Sequence, residues 1–393
     1  MVRGGIGIYY NTSVYQSLAS SMAQQYPFSH TYNLSDKTAP TPITMETGLI
    51  PTAATGASGV ILPTFGVAPN FKIGSANIWQ LAIQQNLKGN LVATVTYNGD
   101  QAIHQPQTFV PNTLPNGTLP VVNGQTASYP CPVTAPANSL ACPGTFTYEV
   151  SGGNSSLQQI QGQLQRRFRS GISANVVYSL THNIDEGSVG GRGGGGALAQ
   201  DWMNLNLERA NSTGARRHSL ALNWQYSTGV GTRGGTLVNG WKGQLIKNWT
   251  VTGNMTVSSG AFFTVSDNKL YDDNSSINVN YRANIVPGQP LYIDGHPNAA
   301  AFVAPPAGQW GDSGRNILTG PMTFGLNSQF GRIFRFDERR SMDVRFDANN
   351  ILNHVNFSGY NTNLGSGVGA STFGILTGAN PMRSFSVIVR FRF

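Results

Sequence analysis

Pro381-Met-Arg-Ser-Phe-Ser-Val-Ile-Val-Arg-Phe-Arg-Phe393 reads as a strand with two unlike faces. Phe385, Val387, Val389, Phe391 and Phe393 fall on every second position. Ser384, Ser386, Arg390 and Arg392 lie between them, and Ile388 is the one apolar exception. Successive side chains of a strand point to opposite faces, so this spacing gives an apolar side and a mostly polar side. Chain ends usually loosen unless something ties them down. Pairing in the wall of a membrane barrel would tie this one, because lipid offers an unpaired backbone no hydrogen bonds. A soluble β-sandwich can end in such a strand too, so the rest of the chain has to decide.

Nine earlier segments share the period. They begin with Gly4, Ile6, Ile8 and Tyr10, with Trp79, Leu81, Ile83 and Leu87, and with Leu91, Ala93, Val95 and Tyr97. The fourth runs from Leu157 to Phe168, with Arg166 on its apolar face, where a charge is tolerated only near the membrane surface. The fifth and sixth are led by Ile172, Val176, Tyr178 and Leu180, and by His218, Leu220, Leu222, Trp224 and Tyr226. Trp249, Val251, Met255 and Val257 lead the seventh, Met322, Phe324, Leu326 and Phe330 the eighth, and Met342, Val344, Phe346 and Ala348 the ninth. The residues between are Thr, Ser, Asn and Gln far more than Lys and Glu, which fits a wet enclosed lumen. Long connections alternate with short ones, as in outer-membrane barrels with long extracellular loops and short periplasmic turns. Placing Phe393 in the periplasm puts the turns at Lys88, Arg169, Gly229 and Asp337 inside and the long loops outside. The fold class expected is therefore all-β, an antiparallel transmembrane β-barrel of about ten strands and so a partial one.

Composition agrees. Charged residues are 11% of the chain, against about 25% in ordinary soluble domains. Aromatics at 10% and recurrent apolar periodicity argue against disorder. No apolar run is long enough for a membrane-spanning helix. The net charge of +8 is scattered apart from Arg166, Arg167 and Arg169, so no nucleic-acid partner is expected. The opening residues Met1 to Tyr10 lack an apolar signal region and already read as strand. The chain is thus expected to be a piece of a longer one, or to carry its export signal upstream.

Local chemistry is sparse. Cys131 and Cys142 lie close together in a Pro/Ser/Asn-rich stretch without a histidine pattern for a metal, which suits a disulfide in an oxidising compartment; two free thiols are the other reading. Asp267, Asp272, Asp273 and Asn274 cluster without the ligand spacing of an EF-hand and are read as a solvated loop. The glycine run Gly190 to Gly196 has no strand-to-helix setting for a phosphate cradle. His182, Asp185 and Glu186, and His218 beside Arg216 and Arg217, lie in no hydrolase motif, so neither an enzyme nor a cofactor is expected. Asp343, Arg345 and Asp347, with Arg390 and Arg392 on the next strand, form a candidate charged ladder on the lumen face.

Several stretches resemble the C-terminal barrel of TonB-dependent outer-membrane receptors of the Oar-like group. They are Val2 to Tyr10, Trp79 to Gln84 with Val95 to Gly99, and Tyr178-Ser-Leu-Thr-His-Asn-Ile-Asp185. They continue with Arg217-His218 and Trp249 to Gly260 with Phe262 and Thr264. Gly314-Arg-Asn-Ile-Leu-Thr-Gly-Pro321 and Phe346-Asp-Ala-Asn-Asn-Ile-Leu-Asn-His354 with Asn356-Phe357 complete the set, in order along the whole chain. The resemblance implies a barrel of about 22 strands around a plug, of which residues 1–393 would be the C-terminal part with the plug absent. It implies uptake or surface binding of an unidentified solute at the Gram-negative outer membrane. The implied partners are membrane lipid, the barrel-assembly machinery and, only where a plug is present, TonB. A structural or adhesive barrel without transport is the alternative.

Within that resemblance Phe385, Val387, Val389, Phe391 and Phe393 form the sorting and closure strand. Phe393→Ala is expected to lower the amount of heat-modifiable, membrane-inserted protein relative to wild type, as seen by gel shift of outer-membrane fractions. Normal insertion would contradict that role.

Overall fold

A computed structural model describes residues 1–25, 64–111, 121–122, 125–126, 146–187, 198–229, 240–267, 282–306, 309–337, 339–365 and 372–393. Ten strands form one wall: β1 (Val2–Tyr10), β2 (Ser75–Leu87), β3 (Leu91–Phe109), β4 (Phe146–Arg169) and β5 (Ile172–Glu186), then β6 (His218–Ser227), β7 (Trp249–Ser258), β8 (Thr323–Arg335), β9 (Ser341–Asn349) and β10 (Ser384–Arg392). Each pairs antiparallel with its sequence neighbours. Among the described residues β1 and β10 each have one strand partner, so the wall has two free edges.

The register carries the expected faces across all nine junctions. On the apolar side Ile6 meets Trp79, Leu81 meets Tyr97, and Tyr97 meets Ile160. Further along, Leu180 meets His218, Leu222 meets Met255, Val251 meets Phe330, Phe330 meets Phe346, and Phe346 meets Val387. A slip of one residue at any junction would turn a strand's whole apolar set inward. Trp79 lies over Gly99 and Trp224 over Gly253, so closely that a Cβ on either glycine would sit 2.1 Å or 2.0 Å from the indole. The glycines leave room for large rings to lie flat along the sheet.

All five long connections leave one end of the wall, and the turns at 88–90, 170–171, 228–248 and 336–340 leave the other. The sequence reading of these connections needs four corrections. The period-two reading leaves a connection between its third and fourth segments, and there β3 runs on to Phe109 and β4 begins already at Phe146. At 24 residues β4 is roughly 80 Å long, far beyond a bilayer. Beyond the membrane a strand no longer needs one uniformly apolar face, so Gln101 to Phe109 shows none. Similarly, β5 runs on to Glu186 past the expected start of its loop, and Arg209–Asn211 pairs with that extension.

The other two corrections are helices. α1 (Val14–Ala23) follows β1 in a stretch expected to be plain connection, burying Val14 and Leu18. α2 (Gly240–Ile246) occupies the Gly/Thr connection between β6 and β7. It exposes Trp241, Leu245 and Ile246, and Leu245 O accepts from Trp249 Nε1 at 2.9 Å and from Arg332 Nη1 at 2.9 Å. Arg332 stands on the apolar face of β8, with its guanidinium 4.7 Å from the Phe334 ring and 5.5 Å from Trp249. That stacking holds a cation within an aromatic girdle at the short-turn end, where membrane interfaces collect Trp and charged tips. Cys131, Cys142, Asp272, Asp273, Asn274 and the glycine run lie outside the described residues.

Gly253→Val would force a branched side chain into the Trp224 ring. The expected cost is about 1–3 kcal/mol of overpacking, read as a lower urea midpoint for the membrane-inserted protein. Trp224→Ala in the same chain is expected to recover part of it.

Candidate functional site

The polar side of the wall is built from uncharged side chains in rows. Asn175, Asn223, Asn254 and Asn327 stand opposite one another on four successive strands. Asn254 Nδ2 donates to Asn223 Oδ1 at 2.7 Å, and Gln163 Nε2 to Asn175 Oδ1 at 2.8 Å. Nearer the long connections, Asn98 donates to Gln159 at 3.1 Å and Gln159 to Thr181 at 3.0 Å. Such cross-strand pairs contribute about 0.2–1 kcal/mol each, so they support the sheet while leaving further amide groups for a ligand. The asparagine row lines a trough of 670 Å³ that also takes in Gln225, Gln329, Asp347 and Arg166. Asp347 Oδ1 is shielded there and accepts no hydrogen bond. Solutes with hydroxyl or amine donors match this lining.

Toward the short turns the polar face becomes charged. Lys247, Arg335, Asp343 and Arg345 line a second hollow of 810 Å³. The register sets Asp343 opposite Arg390 and Ser341 opposite Arg392. The ion pair formed is within one strand, Arg345 Nη2 to Asp343 Oδ2 at 2.5 Å. Asp347 stands opposite Ser386, and Arg345 opposite Ile388. On the other side of β10, Phe385, Val387, Val389 and Phe391 are exposed, as is Phe393 beyond the strand end.

At the far end the described parts of the β5–β6, β7–β8 and β9–β10 connections fold together. Val265, Ala283, Ala301, Phe302, Leu318 and Phe373 make a buried apolar cluster there, with Phe302 and Phe373 rings 5.8 Å apart. Beside it lies a buried ionic network. Arg315 pairs with Asp185 and donates from Nε to Glu208 O at 3.0 Å. Arg282 pairs with Glu208 and donates from Nη1 to Leu207 O at 3.1 Å. Gln200 joins both segments, accepting from Arg282 N at 2.7 Å and donating to Gly311 O at 2.9 Å. Asn316 Nδ2 donates to Asn211 O at 2.6 Å. Burial pushes the Arg282 guanidinium down from its usual range; Glu208 opposes the shift and neighbouring Arg315 adds to it.

Asp185 belongs to the polar face of β5, so Arg315 ties the β7–β8 connection to the polar side of the wall. The two residues come from two of the stretches that carry the family resemblance. The stretch 198–213 between β5 and β6 is thereby held in place, with a 3₁₀ turn at Leu205–Glu208. His182 and His218 border one cleft on the apolar face, but neither is paired with the acids weighed alongside them for hydrolysis. His218 contacts Tyr178 Oη at 2.8 Å on the apolar face, Asp185 is held by Arg315, and Glu186 pairs with Arg209 at 3.1 Å. Among the described residues no three His, Cys, Asp or Glu side chains are placed to hold a metal. The network was missed because its members are 74 and 130 residues apart in sequence and periodicity says nothing about loops.

The family model described as Outer membrane beta barrel domain matches residues 1–386. No curated protein matches the chain. Among solved structures, the outer membrane transporter YddB from Escherichia coli is similar at 11% identity and TM-score 0.45, over 85% of this chain and 35% of its own. The FrpB iron transporter from Neisseria meningitidis is similar at 10% identity and TM-score 0.41, over 84% and 32%. The siderophore receptor PiuA from Acinetobacter baumannii is similar at 9% identity and TM-score 0.39, over 82% and 29%. The chain thus spans about a third of the length of these structures.

Arg315→Met would leave Asp185 buried and unpaired, at an expected cost of about 3–5 kcal/mol. Hydrogen exchange should then accelerate in 198–213 and 309–321 while β9 and β10 keep their protection. Unchanged exchange in both loops would contradict the network's role.

Proposed function

The chain belongs to the outer membrane beta-barrel domain family, and from its polar face we propose that it forms solute-handling wall of a TonB-dependent receptor of the Oar-like kind. The observation that carries this reading is the amide-rich trough, with the β7–β8 connection tied to the polar side of the wall at its outer end. The sequence stretches shared with that receptor group support the TonB-dependent part. The reading places the chain as the C-terminal portion of the receptor barrel. The barrel-assembly machinery inserts it, and energised transport requires a plug in the same receptor. The solute is rich in hydrogen-bonding groups, meeting Asn223, Asn254 and Asp347. No catalytic step and no cofactor belong to this role.

The test is uptake by cells carrying the full-length gene, its deletion, or the double substitution Asn223→Leu with Asn254→Leu. Labelled oligosaccharide, peptide and ferric siderophore serve as probes, each with and without a proton uncoupler. Uptake of at least one probe is expected to depend on the gene and on the proton gradient. The double variant should lower it roughly tenfold, the loss expected for two ligand hydrogen bonds, at unchanged protein level. Uptake of every probe independent of the gene, with deletion altering only cell adhesion or envelope integrity, would overturn the proposal in favour of a structural or adhesive barrel.

A further inference from the structure

The two ends of the wall differ in charge. Counted with two residues on either side, the four short turns carry eight Lys or Arg against two acids in the sequence, whereas the five long connections carry ten against eleven. Lys88, Arg169, Lys242, Arg335, Arg339 and Arg340 are exposed at the short-turn end. Arg169 Nη1 donates to Asn90 Oδ1 at 3.1 Å, which joins the first two of these turns. Asp337 is engaged inside its own turn, accepting from Arg339 N at 2.9 Å and Arg340 N at 2.6 Å and pairing with Arg340 at 3.7 Å. Asp343, on the following strand, pairs with Arg345 at 2.5 Å.

These cations border an apolar surface that continues the lipid face. In α2, Trp241, Leu245 and Ile246 are exposed at 69%, 59% and 54%. The end of the helix is pinned on the lipid side, because both donors to Leu245 O, Trp249 and Arg332, belong to the apolar face of β7 and β8. Lys242 Nζ lies 5.7 Å from the centre of the Trp241 ring. Phe336 is exposed in the last short turn, beside its arginines. Apolar side chains flanked by cations suit a membrane interface, with rings at the acyl boundary and charged tips among phosphates. Basic residues are drawn to an anionic lipid surface within a Debye length of it. An acidic protein would answer the charge alone; a lipid surface answers both the charge and the exposed apolar side chains. We infer that the short-turn rim docks on an anionic phospholipid leaflet, with α2 lying in its headgroup layer. Docking sets the depth of the wall in the membrane, independently of any transported solute.

The test uses the full-length protein, folded and reconstituted in bilayers holding traces of spin-labelled phosphatidylglycerol or phosphatidylcholine with identical chains. Phosphatidylglycerol is expected to be enriched beside the protein about fivefold over phosphatidylcholine, the preference that one surface cation gives. Sodium chloride at about 1 M should remove most of it. Lys88→Gln, Lys242→Gln and Arg339→Gln together should at least halve the preference. Lys72→Gln with Arg383→Gln, at the long-connection end, should leave it unchanged. A fluorophore on Leu245→Cys, with Cys131 and Cys142 replaced by serine, should be quenched by phospholipid brominated in its acyl chains. Equal association of the two lipids, equal loss with the long-connection variants, or a position 245 reached only by water-soluble quenchers would overturn the proposal. Release of phosphatidylglycerol by inorganic phosphate beyond that by chloride at equal ionic strength would overturn it too, in favour of a site for soluble anions. The lipid comparison and its salt dependence decide the matter on wild type alone should a variant fail to fold.

Discussion

Hydrocarbon cannot hydrogen-bond a peptide group, and the rest of this structure depends on that constraint. Each unpaired N–H or C=O inside a bilayer costs several kcal/mol, so strands that cross it must be paired along their length. Pairing in turn fixes register, and register fixes which face each side chain takes. Nine antiparallel junctions hold one apolar surface from Ile6 to Val387 without a change of side. The same requirement applies to the free edges of β1 and β10, which in a bilayer must be paired before the wall is stable.

The wall and its loops are stabilised by different forces. The wall has little buried apolar interior, because its apolar side chains face outward. Its fully buried apolar cluster, around Val265, Leu318 and Phe302, lies in the connections. The ionic network beside it also lies outside the membrane, where buried charges survive only when paired and hydrogen-bonded. Arg315 satisfies that condition through Asp185 and the Glu208 carbonyl, and so couples a loop between β7 and β8 to the end of β5. The described parts of the β5–β6, β7–β8 and β9–β10 connections are therefore packed together with their own core, at the far end from the short turns.

What could be read from sequence follows from the same division. Lipid demands strict alternation, so all ten crossing segments and their faces stood out, Phe385 to Phe391 most clearly. Where strands leave the bilayer the demand lapses, and Gln101 to Phe109 and Phe146 to Ser156 carried too mixed a pattern to be read as strand. α2 is only seven residues long, too short for a helical period to show against a Gly- and Thr-rich background. The polar row of Asn175, Asn223, Asn254 and Asn327 was visible strand by strand, but only register shows that the four stand abreast. Asp185, Glu208, Arg282 and Arg315 gave no local signal, since nothing in the spacing of distant loop residues predicts that they meet. Their scarcity is the one available hint: in a chain with 11% charged residues, loop arginines beside family-like stretches are good candidates for a structural task.

The central claim is that one face of each strand meets lipid and the other meets the lumen, and spin-label accessibility along β9 tests it most directly. Cys131 and Cys142 would be replaced by serine, single cysteines introduced from Met342 to Ala348, and the labelled protein inserted in a bilayer. The account predicts that labels at 342, 344, 346 and 348 collide mainly with dissolved oxygen, and those at 343, 345 and 347 with a water-soluble nickel chelate. Accessibility without a period of two, or with the two sets exchanged, would contradict it.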